Sequence, residues 1–217
     1  MVEYILNLIS EKSGALNVLT YLSSRTISST LTGLLIVLLF GDKFIQIIKK
    51  FQFNQNFDGR APESHKKKDG TPTMGGILII GSVVLSGLIW GDLSNKYLLL
   101  GLACLVGFAI IGFIDDYKKI FSLDSTGLSS TTKIFYQAMV ALVVSVILFA
   151  SSTSPQELEY IVPFFKNISI ELGVGFVFLS VFILVGSSNA VNLTDGLDGL
   201  ATVPVILVAA CFAFISY

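Results

Sequence analysis

The chain has 217 residues, of which 53% are hydrophobic and 13% charged, and its formal net charge is −1. Ordinary soluble domains carry about 25% charged residues, so the composition excludes that class and fits a helical integral membrane protein. The near-zero net charge says little about partners, because the charges are segregated along the chain, and nothing in it points to nucleic acid.

The first ten residues carry Glu3 and no basic cluster, so no cleavable signal peptide is expected. Six apolar runs follow, near 22–41, 72–91, 97–114, 134–151, 172–193 and 199–217. A spanning helix needs about 20 mostly apolar residues. The expected architecture is therefore an all-α polytopic bundle of about six spans, forming one membrane domain. The first run includes Arg25, which can snorkel to the interface. Cys104 and Cys211 fall in apolar runs and are expected to be buried packing residues, not a disulfide or a metal pair.

Lysine and arginine orient the bundle. The loop 42–71 holds Lys43, Lys49, Lys50, Arg60, Lys66, Lys67 and Lys68, and the loop 115–133 holds Lys118, Lys119 and Lys133. The remaining segments hold only Lys12, Arg25, Lys96 and Lys166. The two basic loops are thus expected in the cytoplasm, with the amino terminus outside. Counting spans returns the turn 194–198 to the same side. The outer segment 151–171, with Pro155, Glu157, Glu159 and Pro163, is expected to be an exposed loop with a short strand at 167–171. No internal repeat or low-complexity tract is visible.

Three polar clusters then share one membrane face. In APESHKKKDGTPTMGG, Thr71 can cap the second span and Pro72 suits its first turn. Gly75 and Gly76 let a ligand or backbone come close. Helix-start amides beside Lys66, Lys67 and Lys68 could hold an anion; equally, the lysines could only set topology. His65, the only histidine, is given a minor role at most.

In GFIDDYKKI, Asp115 and Asp116 stand where a span ends, directly before Lys118 and Lys119. Acids at a helix C-terminus oppose the macrodipole, so helix stability does not explain them. Paired carboxylates beside lysines suit Mg²⁺ with phosphates. In NAVNLTDGLDGLA, a polar turn would explain Asp195, Asp198 and the glycines. It would not explain Asn189 and Asn192, which precede the turn inside the apolar run. If helix continued to Gly199, Ser188, Asn192, Asp195 and Gly199 would form one stripe, although Gly196 and Gly199 favour a break. No Ser–His–Asp constellation, CxxC pair, Walker A loop or GxGxxG is present.

Taken in order, ESHKKKDGTPTMGG, GFIDDYKK and NAVNLTDGLDGLA resemble the signatures of the polyprenyl-phosphate phosphosugar transferases (glycosyltransferase 4). The first stretch is similar to the phospho-N-acetylmuramoyl-pentapeptide-transferase branch rather than the GlcNAc-1-phosphate branch. The likeness extends over essentially the whole chain, with DSTGLSSTTK (Asp124–Lys133) a looser part of it. It implies an enzyme of the bacterial cytoplasmic membrane with its site on the cytoplasmic face. Phospho-MurNAc-pentapeptide passes from UDP-MurNAc-pentapeptide to undecaprenyl phosphate, UMP leaves, and lipid I forms for peptidoglycan synthesis. Mg²⁺ is the implied cofactor.

The resemblance makes Asp115, Asp116 and Lys68 the catalytic group, and Asn192 with Asp115 and Asp116 the metal group. Lys119, Lys133, Asn189, Asn192, Asp195, Thr71 and Gly75 become substrate-binding residues, and Asp198 a structural one. Whether one aspartate acts as base, positions the metal or forms a covalent intermediate stays open. The family has further spans after the sixth, so the sequence is expected to be an amino-terminal portion, with part of the cleft and an essential aspartate outside it. A homodimer is compatible with this reading. The rivals are the GlcNAc-1-phosphate branch, an inactive remnant and an ion-coupled transporter. The transporter fits poorly, because coupling carboxylates sit near the midplane and these acids sit at span ends.

Overall fold

The computed structural model describes residues 14–53, 74–121, 127–162, 164–165, 168–195 and 200–216. His65, Lys66, Lys67, Lys68, Thr71, Pro72, Gly196, Asp198 and Gly199, all singled out from the sequence, lie outside the described residues. The protein is an all-α polytopic helical chain with one small hairpin. It divides into two compact units, Met1–Lys133 and Ile134–Tyr217.

The first unit holds helices α1 (Leu22–Phe53), α2 (Gly76–Trp90) and α3 (Lys96–Phe121), with a 3₁₀ turn, Gly14–Thr20, ahead of α1. Three threonine hydroxyls on α1 bond within the helix. Thr26 Oγ1 donates to Leu22 O, Thr30 Oγ1 to Thr26 O and Thr32 Oγ1 to Ser28 O. An apolar helix tolerates Ser and Thr on those terms, because lipid offers no alternative partner.

Small residues form the seam between α1 and α2. Ser82 and Ser86 are buried, and a Cβ on Gly33 would stand 3.5 Å from Ser86 Oγ. Close backbone approach of this kind drives helix association where burial from water cannot. The seam is closed at one end by Trp90. Its indole Nε1 donates to Thr32 Oγ1 at 2.9 Å, and its carbonyl accepts from Arg25 Nε at 2.9 Å. Arg25 therefore serves an otherwise orphaned last-turn carbonyl of α2. The turn to α3 is tight: Gly91 N–H returns to Gly87 O, and Asn95 Oδ1 caps α3 by accepting from Tyr97 N–H at 2.9 Å.

The second unit holds most of α4 (Ser130–Ala150), then a 3₁₀ turn at Pro155–Leu158, strands β1 (Glu159–Ile161) and β2 (Ser169–Glu171), α5 (Gly175–Thr194) and α6 (Thr202–Ser216). The strands pair antiparallel, with Tyr160 opposite Ile170. The expected strand has its counterpart in β2; its partner β1 was masked in sequence by Pro155 and the acidic residues around it. Gln137, Ala141, Val144 and Ser145 are the buried residues of α4, at the i, i+4, i+7, i+8 spacing of one helix face.

Among the described residues, four helices are long and apolar enough to cross a membrane: Leu22–Lys50, Lys96–Ile120, Ser130–Ala150 and Gly175–Thr194. Helices α2 and α6 are apolar but have 15 residues each, about 22 Å of helix against a hydrocarbon core of about 30 Å. Helices α1 and α3 do not stop where their apolar runs stop. The first continues through Asp42 and Lys43 to Phe53, and the third carries Asp115 and Asp116 within it. Charge marks where a helix leaves hydrocarbon; it does not end the backbone ladder. The expectation of two buried cysteines is corrected: Cys104 is partly covered, but Cys211 is exposed on α6, a helix with no buried residue among those described.

Candidate functional site

The α3 C-terminus and the chain that returns from it collect four of the expected site residues. Asp115, Asp116 and Lys119 lie in the last turns of α3, and Lys133 lies in the first turn of α4. Ser129 caps α4: its Oγ accepts from Thr132 N–H at 3.2 Å. That cap fixes where Lys133 leaves the helix.

Asp115, Asp116 and Lys133 stand at the unfavourable ends of their helices, whereas Lys119, in the last turn of α3, stands at a favourable one. Carboxylates at a C-terminus and an ammonium near an N-terminus each cost about 0.3–1 kcal/mol when exposed. The structure offsets this by pairing them. Lys119 Nζ donates to Asp115 Oδ2 at 2.6 Å and stands 3.6 Å from Asp116 Oδ1. Lys133 Nζ lies 3.8 Å from Asp115 Oδ2. The other oxygen, Asp115 Oδ1, accepts the backbone N–H of Leu128 at 2.7 Å.

The two adjacent aspartates are therefore unequal. The Asp115 side chain is 8% exposed, with both oxygens engaged; that of Asp116 is 37% exposed. Lys119 is 47% exposed and Lys133 17%. What faces outward is one carboxylate, Asp116, beside the Lys119 ammonium. Such a surface can contact a phosphate and a cation together.

Mg²⁺ is usually held by one or two carboxylates, with water and substrate phosphates completing the shell. Asp116 fits that role. Asp115, with Lys119 and Leu128 on its oxygens, does not fit it in this arrangement. Among the described residues no group of three or more His, Cys, Asp or Glu is placed to hold a metal. The outward carboxylate of Asp116 could serve a metal that arrives with phosphates.

In the second unit a different polar cluster forms. Asn189 Nδ2 donates to Gln137 Oε1 at 2.7 Å and to Val185 O at 2.8 Å. Gln137 Nε2 donates to Ser188 Oγ at 3.2 Å. Asn189, expected to bind substrate, thus turns its amide hydrogens onto α4 and its own helix. Gln137 is a polar residue that the sequence reading passed over. Its signal was available: it is the only side-chain amide between Lys133 and Ser151, and polar groups in a span usually face protein. Helix α5 ends at Thr194, and Asp195 N–H returns to Val191 O. The long stripe to Gly199 therefore does not form as one helix. Asn192 and Asp195 are both exposed.

Gly75 precedes α2 with no side-chain cap, and among the described residues no atom lies within 4 Å of a Cβ placed on Gly75 or Gly76. Nothing described crowds the start of that helix.

Two comparisons bear on these residues. A family profile described as glycosyl transferase family 4 matches residues 98–217. The phospho-N-acetylmuramoyl-pentapeptide-transferase signature 1 matches residues 68–80.

Proposed function

The chain belongs to glycosyl transferase family 4, and from that premise we propose that it serves transfer of phospho-MurNAc-pentapeptide from UDP-MurNAc-pentapeptide to undecaprenyl phosphate. The observation that carries the choice of sugar is the signature at residues 68–80, which begins at Lys68 and runs into α2. The Asp116–Lys119 surface at the end of α3 supports the chemistry.

An oxygen of the lipid phosphate attacks the β-phosphorus of the UDP-sugar. A new P–O bond forms, the bond from that phosphorus to the bridging oxygen breaks, and UMP leaves with the bridging oxygen. Lys119 opposes the negative charge that grows on the leaving group, where preorganised cations are most effective. Lys133 stands behind it on the shared carboxylate, and Lys68, outside the described residues, keeps the catalytic role that the resemblance implies. Asp116 is the residue that would hold Mg²⁺, which supplies charge neutralisation across the pyrophosphate. Little proton abstraction is needed, because a phosphate monoester has a second pKa of about 6 and is largely dianionic at neutral pH. In the second unit, the proposal gives Asn192 and Asp195 to the nucleotide. The setting is the cytoplasmic face of a bacterial inner membrane.

The test is UMP release in membranes carrying the full chain, with undecaprenyl phosphate as acceptor and either UDP-MurNAc-pentapeptide or UDP-GlcNAc as donor. Release with the first donor alone is expected. Release with UDP-GlcNAc alone would move the chain to the GlcNAc-1-phosphate branch, and release with neither would overturn the proposal.

A further inference from the structure

Among the described residues after α3, Gly127–Leu128 comes back onto Asp115. Leu128 lends its N–H to Asp115 Oδ1. Gly127 lies so close that a Cβ there would fall onto Asp115 Oδ1 and stand 2.8 Å from Lys119 Cε. Its φ is not in the left-handed region. Glycine is therefore needed at 127 for room, not for its dihedral freedom.

We propose that Gly127 and the Leu128 amide are positioning residues: a backbone latch that turns Asp115 inward and holds Lys119 and Lys133 on it, leaving Asp116 outward. The inference rests on the transferase reading for its consequence, though not for the latch itself. The physical reasoning runs from the carboxylate. A buried anion needs its lone pairs satisfied. Leu128 N–H takes one oxygen, so the other is left to the two ammoniums. Without that amide, Asp115 would be free to rotate towards water or to draw a lysine onto each oxygen. Either change moves Lys119 relative to Asp116, and electrostatic stabilisation depends on such placement being fixed before reaction.

The same oxygen explains why a side chain at 127 is excluded. A methyl there makes both the Asp115 carboxylate and the Lys119 stem shift. Both displaced groups are members of the ion cluster. Asp115 thus acts through the lysines it holds, and Gly127 and Leu128 act through Asp115.

The experiment compares the full chain in detergent micelles as wild type, Gly127→Ala, Leu128→Pro and Leu128→Ala. Leu128→Pro deletes the donor N–H; Leu128→Ala keeps it and removes only side-chain packing. The first readout needs no turnover: the rate at which an amine-reactive reagent modifies Lys119, followed by mass spectrometry. The second is the split between kcat and KM for the nucleotide-sugar. Gly127→Ala and Leu128→Pro are expected to raise Lys119 modification and to lower kcat by about tenfold or more, with KM changed less than about threefold. Leu128→Ala is expected to behave as wild type in both, which a general packing defect would not allow.

Unchanged Lys119 modification in Gly127→Ala and Leu128→Pro would overturn the latch. Raised modification with unchanged kcat would overturn its positioning role. Raised modification in Gly127→Ala and Leu128→Pro, beside a wild type that transfers no phosphosugar, would sink the transferase reading while supporting the latch. Should Gly127→Ala fail to accumulate, the contrast between Leu128→Pro and Leu128→Ala decides the matter alone.

Discussion

Asp115 and Asp116 are chemically identical neighbours with different surroundings. One is enclosed by Lys119, Lys133 and a backbone amide, and the other faces outward beside a single lysine. Replacing Asp116 by Asn removes a charge from the outward surface and is expected to lower phosphosugar transfer about hundredfold, with a higher Mg²⁺ requirement for the remaining activity. Measured Mg²⁺ titrations of the wild type and variant check this; an unchanged requirement would remove Asp116 from the metal role. That the pair stood out was legible, because two acids ending an apolar run have no stabilising use there. That they were unequal was not. The difference comes from Gly127–Leu128, more than ten residues further on, and no local pattern announces that contact. Gln137 differs: as the lone amide of its apolar run it carried a signal, and only its partner, Asn189, had to come from the structure.

At the scale of elements, the apolar runs overlap the helices, and two of the helices continue past the apolar stretch. Apolar runs report the lipid-facing length, while hydrogen bonding carries α1 to Phe53 and α3 to Phe121. Seams between helices were written in small residues, which composition alone does not separate from filler. A Cβ on Gly33 would meet Ser86 Oγ at 3.5 Å, an ordinary van der Waals contact. Gly33→Ala is therefore expected to be nearly neutral, whereas Gly33→Leu should force α1 from α2 and cost about 1–3 kcal/mol. Thermal unfolding in one detergent distinguishes the two; equal melting temperatures would refute the seam. In the second unit, Gln137→Leu removes the hydrogen bonds to Ser188 and Asn189. The expected loss is about 0.6–1.7 kcal/mol, the range found for side-chain hydrogen bonds within membranes. The same unfolding measurement reads it.

The whole molecule is a multi-pass membrane protein whose sidedness rests on lysine and arginine placement. Single cysteines test that orientation in a background where Cys104 and Cys211 are replaced by Ala. Lys49→Cys, on the far end of α1, is expected to react with an impermeant maleimide only after the membrane is opened. Gln156→Cys, in the turn before β1, is expected to react in intact cells. The reverse result would invert the orientation and move Asp116 and Lys119 away from a cytoplasmic nucleotide-sugar.

The described interior has very little apolar packing of its own. Ile48, Ile111, Ala141, Val144 and Val177 are the buried hydrophobic residues among those described, while Leu31, Leu34, Leu35, Leu38 and Leu39 of α1 all face outward. The surrounding amphiphile is then a stoichiometric participant in folding rather than a background solvent. Whatever binds the folded chain more than the unfolded one shifts the equilibrium by mass action. A melting temperature for this protein therefore belongs to a protein–amphiphile pair, and it will drift with acyl-chain length and dilution although no residue has changed.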